Sequence, residues 1–133
     1  MSAFVDTNIL VRHLTGDPPA MAARATAFLR RESELFLADL IVAETVYVLE
    51  SFYETPRTQI AEIVRSLVAM RSVVVVDRDV LLRAVEVYET DRLDFAEAYL
   101  VASAESTGIG RIASFDRSLD RVRTVKRIEP PGR

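Results

Sequence analysis

At 133 residues, half of them hydrophobic and 28% charged, the chain has the composition of one folded domain, which excludes a disordered segment and a pair of ordinary domains. It has no cysteine and a single histidine, His13, so disulfides, thiolate metal sites and a histidine-rich zinc centre are excluded, and any metal would be held by oxygen. The formal charge of -3 shows no basic excess, yet every basic residue except Lys126 is arginine, the side chain best suited to phosphate.

In chain order, "SAFV" reads as a short buried strand, and residues 7–14 read as a helix that ends at the break "TGDPP". "AMAARATAFLRRE" is an amphipathic helix and "ELFLA" a second strand. Asp39 is expected to cap a nearly all-apolar helix running to Tyr53, and Pro56 to start the next, "RTQIAEIVRSLVAM". "SVVVVD" is the clearest strand, since consecutive valines suit a parallel strand buried on both faces. "DVLLRAVEVYET" and "DFAEAYLVASAEST" are helices, the latter stopped by Gly108 and Gly110 before the strand "RIAS". A last strand is expected around "RVRTV", with "PPG" as a frayed tail. Tyr47, Phe52 and Tyr53 read as core. The alternation predicts a single α/β domain over residues 1–133, with a central twisted parallel sheet of about five strands and helices on both faces. No leader is expected, because Asp6 interrupts the N-terminal apolar run, and no stretch approaches the roughly 20 apolar residues a membrane span needs. A cytoplasmic setting is the expectation.

In such sheets, sites form outside the C-terminal ends of the strands. Asp6 directly follows the first strand, and Asp116 follows "RIAS" closely. Glu44 stands within an apolar helix, where a lone buried carboxylate is costly unless something compensates it. Asp94 and Glu97 open the helix "DFAEAYLVA" on one face. Acids gathered at one sheet edge would repel, and several stay ionised together only beside a cation. A hard divalent ion, Mg²⁺ or Mn²⁺, takes such oxygen donors. Each acid also has a purely structural reading: Asp6 as an N-cap, Asp94 with Glu97 as a capping box, and Asp116 as a turn residue.

The segments "FVDTNIL", "ADLIVAETVYVL", "LDFAEAYLVASA" and "RIASFDRSLDRV" occur in the order and spacing of the PIN-domain ribonucleases, and the chain resembles that family from Ser2 to about Val125. Its short length is similar to that of the VapC toxins of bacterial toxin–antitoxin pairs. The resemblance implies a PIN-like three-layer fold and Mg²⁺- or Mn²⁺-dependent cleavage of single-stranded RNA. By position, Asp6, Glu44 and Asp116 match the first, second and fourth family acids, with Ser114 at the place of a supporting hydroxyl and Thr7 and Asn8 beside the first acid. The third acid departs from the pattern. Many relatives carry Asp where Glu97 stands, and Asp94 is an additional acid one turn earlier, so either fills the third place. The resemblance also implies a small antitoxin partner and a homodimer.

The chemistry expected is metal-assisted hydrolysis of a phosphodiester in single-stranded or looped RNA, with Arg12, Arg92 and Arg117 as candidate RNA contacts. Two rivals stand beside it. A receiver- or phosphatase-like domain would use Asp6 as a phosphoacceptor, but such sites want a well-placed lysine and the only one is Lys126. A noncatalytic PIN-like binding module would keep the scaffold without the reaction.

Overall fold

A computed structural model describes residues 1–132. The residues fall into two compact units, Met1–Arg78 and Asp79–Arg133, and Arg133 lies outside the described residues.

The first unit begins with β1 (Ser2–Phe4), which runs into Asp6 and α1 (Thr7–Thr15). Gly16 ends α1 in the left-handed region, φ 71°, where its N–H reaches the Arg12 carbonyl at 2.9 Å; glycine adopts this without steric penalty. Pro19 starts α2 (Pro19–Arg31), since a helix's first turn needs no N–H there. Then come β2 (Glu34–Phe36), α3 (Asp39–Ser51), α4 (Arg57–Ala69) and β3 (Val73–Val74). The sheet order is β1-β2-β3 and every pairing is parallel, with Ala3, Leu35 and Val73 in one row and Phe4, Phe36 and Val74 in the next. Successive residues of a strand face opposite sides, so the first row carries fully buried Leu35 while Phe4, on the other face, is 79% exposed. The expected burial of the first strand therefore holds on one side only. Leu10, Leu29, Leu37, Leu49, Ile60 and Leu67 fill the core beside Leu35.

Three expectations are corrected here. The valine run pairs over two residues only, because β2 itself has three and its ladder ends at Phe36; Val76 is 91% exposed. β-propensity is realised only where a neighbouring strand accepts the ladder. The cap of α3 is Ala38, without a side-chain bond, and Asp39 occupies the first helical turn. Tyr47, Phe52 and Tyr53 are exposed rather than core.

The second unit contains most of α5 (Arg78–Thr90), α6 (Phe95–Thr107), β4 (Arg111–Ala113), a 3-10 helix at Arg117–Arg121 and β5 (Lys126–Ile128). Strands β4 and β5 pair in parallel, with Ile112 opposite Arg127. The last strand thus starts after "RVRTV", because Asp116 caps a short helix that takes up the chain to Arg121. Tyr88 of α5 meets Phe95 of α6 edge-on at 5.9 Å. The Arg83 guanidinium, on α5, clamps both oxygens of Glu105, on α6, at 2.8 and 2.9 Å. The five strands expected are present among the described residues, all in parallel pairings, hydrogen-bonded as a sheet of three and a sheet of two.

Candidate active site

Two groups of acids are built around helix caps, one in each unit. In the first, Asp6 is the N-cap of α1, and its Oδ1 accepts the Thr7 N–H at 2.8 Å. Thr7 is buried, and its hydroxyl donates a short hydrogen bond to Oε1 of Glu44 on α3. Thr7 thus touches both carboxylates, through its backbone and through its side chain. Asp6, Asn8, Arg12 and Glu44 form the polar wall of a cavity of about 270 Å³ whose apolar side includes Val11 and Val48.

Glu44 corrects the sequence reading. It is exposed, not buried in a helix that is hidden all round. Helix α3 buries Val42, Thr45, Val46 and Leu49 and leaves the stripe Leu40, Glu44 and Tyr47 open. Positions 40, 44 and 47 lie on one helical face, so Glu44 reaches solvent between two exposed apolar side chains.

In the second unit, Asp94 caps α6 by accepting the Glu97 N–H at 2.9 Å. Asp116 caps the 3-10 helix, its Oδ1 accepting the Ser118 N–H at 2.9 Å, and its own N–H donates to the Ser114 hydroxyl at 2.9 Å. The structural reading of each of these aspartates is therefore present in the molecule. Glu97 is different. Burial, then the hydrogen bond its protonated carboxyl donates to Asp116 and the charge of Asp94, push its carboxyl up to about 7. Asp116 moves the other way, held below the usual aspartate range by the Ser118 hydroxyl and amide and by the protonated Glu97. The two shifts run in opposite directions, so of the pair it is Glu97 that keeps its proton to the higher pH.

The donor set suits a hard divalent cation in its chemistry, being carboxylates and hydroxyls throughout. Among the described residues no group of three or more such side chains is arranged to hold a metal. Mg²⁺, however, is commonly held by one or two carboxylates with water and substrate phosphate completing its shell. The proton on Glu97 marks where unbalanced negative charge collects, and a cation there would take the proton's place.

A scan of protein families matches the PIN domain over residues 3–125. The chain belongs to the PIN-domain family. Members of this family are typically metal-dependent nucleases, and the match reaches across both acid groups. No curated protein matched the chain.

Of the arginines expected near the RNA, Arg12 joins the cavity wall with Asp6 and Glu44. Arg92 and Arg117 are exposed, and the Arg92 carbonyl accepts from the Arg121 guanidinium at 3.0 Å. Ser118 was missed from the sequence. Its hydroxyl lies 3.4 Å from both oxygens of Glu97, and the signal was the Asp-x-Ser spacing of 116 and 118, which lets an aspartate cap a turn while a hydroxyl sits two residues on.

Proposed function

We propose that this PIN domain is a Mg²⁺- or Mn²⁺-dependent endoribonuclease acting on single-stranded or looped RNA, in which Asp6, Glu44, Asp94, Glu97 and Asp116 serve one reaction. We further propose that residues 1–133 act as one domain, the cytoplasmic toxin of a VapC-type toxin–antitoxin pair, homodimeric and held in check by a small protein partner. The observation that carries the nuclease reading is the PIN-domain match over residues 3–125, which spans all five acids; Glu97, pushed up to about 7 by burial, Asp116 and Asp94, supports it.

A divalent cation, when bound, would activate water and offset charge on the phosphate. The remaining roles belong to side chains. Asp6 and Glu44 offer oxygen donors, and Thr7 fixes the Glu44 carboxylate by its hydroxyl. Ser114 and Ser118 hold the Asp116 loop through the Asp116 and Ser118 amides. Glu97 titrates near neutrality, which suits a group that holds or releases a proton at its carboxyl during hydrolysis. Extended RNA is favoured as substrate because its backbone can be bent into an acidic recess, whereas a duplex is stiff.

A second reading is a noncatalytic PIN-like binding module, favoured by the fact that Asp6, Asp94 and Asp116 each already act as helix caps. Incubating purified protein with single-stranded RNA separates the two. The nuclease reading expects cleavage with Mg²⁺ or Mn²⁺ that stops with EDTA, and intact RNA under every metal condition would favour the binding module. Induction without a partner is expected to slow growth, and Asp6→Ala to relieve it.

A further inference from the structure

Beside the Asp6 cavity, helices α1 and α2 enclose a second one of about 480 Å³, within the roughly 300–1,000 Å³ typical of ligand sites. Asn8 and Arg12 line both cavities, so the two are neighbours along α1. The second has an unusual wall. Its charged groups are Arg12, Arg24 and Arg31, and no carboxylate lines it, although the chain carries more acids than bases. Its apolar side includes Ile9, Met21 and Phe28, with the Arg31 guanidinium 5.9 Å from the Phe28 ring centre.

The three cations are weakly engaged within the protein. The Nε of Arg12 is buried and has no hydrogen-bond partner, and its nearest terminal nitrogen stands 3.4 Å from the Asp17 carbonyl, a long contact. A buried donor without an acceptor is costly and calls for an acceptor supplied from outside. Arg31 meets Glu32 only at 3.7 Å on a largely exposed side chain, a pairing of little energetic weight.

We propose that this cavity is a nucleotide subsite for the RNA segment next to the scissile phosphate: the arginines take backbone phosphate and the wall of Ile9, Met21 and Phe28 takes a base. Its position rests on the nuclease reading, because the adjoining cavity holds Asp6 and Glu44. Charge complementarity chooses the ligand, since a wall with three guanidinium groups and no carboxylate favours a polyanion, and the apolar wall favours one that carries bases.

The test is fluorescence anisotropy of a labelled oligouridylate of about ten nucleotides, a length within the usual single-strand site size, with full-length protein in EDTA so that nothing is cleaved. Arg24→Ala and Arg31→Ala, both on the surface of α2, are expected to weaken binding roughly three- to tenfold each and to lower the slope of log Kd against log salt by about 0.7 each. Arg71→Ala, which does not line the cavity, is the charge-matched control. Inorganic polyphosphate of equal charge is expected to compete less well, because it has no base. The proposal is overturned if the two variants bind like the control, if polyphosphate competes equally, or if a polyglutamate peptide shows the arginine-dependent binding and the RNA does not. A chain that binds the oligouridylate through these arginines but never cleaves RNA with Mg²⁺ would keep the subsite and remove the nuclease reading.

Discussion

The two acid groups use the same residue types and are hydrogen-bonded in different ways. At Asp6 and Glu44, a threonine separates the carboxylates and gives a hydrogen bond to each, one from its amide and one from its hydroxyl. At Glu97 and Asp116, the carboxyls hydrogen-bond each other, with Asp94 adding charge, and the glutamate holds a proton up to about pH 7. Direct contact between carboxyls favours the protonated form of one of them. The first group is bridged by a hydroxyl and an amide; the second is held together by a carboxyl–carboxyl contact.

The largest effect that would break this comparison is on catalysis. Glu44→Gln is expected to lower RNA cleavage by about a hundredfold or more, as losing one preorganised charged group commonly does, while leaving the thermal midpoint near that of the parent because residue 44 is exposed. Undiminished turnover would remove Glu44 from the site. Next comes pH. Glu97 is raised, so the folded chain holds a proton that the unfolded chain loses above the ordinary glutamate value of 4.5; stability therefore falls as pH rises from about 4.5 to about 7. Mn²⁺ affinity is expected to climb over pH 6 to 8, roughly the range in which that proton leaves, and Glu97→Gln to flatten both curves. Urea denaturation and calorimetric titration across pH measure them, and identical curves for parent and variant would contradict the raised Glu97 carboxyl.

Smaller effects sharpen the contrast. Thr7→Val keeps the shape of a buried side chain but leaves Glu44 without its donor, and is expected to destabilise the chain by about 1 kcal/mol in denaturant unfolding. Arg83→Met removes a clamp on Glu105, a residue of neither acid group, and is expected to cost about 0.5 kcal/mol, given its partial exposure, with cleavage unchanged.

Much of this was legible in the sequence for reasons that can be named. Asp6, Asp94 and Asp116 announce themselves because a short polar side chain just before a helix has a local job, and local hydrogen bonds depend on neighbours in the chain. The parallel alternation was legible from segment lengths and helix stops, as at Gly16 and Gly108. Glu44 was misread because composition does not reveal that Leu40 and Tyr47 flank it on an open face. The valine run was over-read because strand length depends on the partner, and β2 is short. The proton of Glu97 depends on burial and on Asp116, nineteen positions away, which no local pattern encodes. The cavity of Arg12, Arg24 and Arg31 depends on how α1 and α2 pack.

We propose that both acid groups serve one metal-dependent reaction. The most direct test is a double-mutant comparison of RNA cleavage in Mn²⁺ using Asp6→Asn from the first unit and Asp116→Asn from the second, asparagine being an equally good helix cap. The account predicts that each single variant loses nearly as much activity as the two combined, because groups that act as a unit are not additive. Full cleavage by either single variant would contradict it.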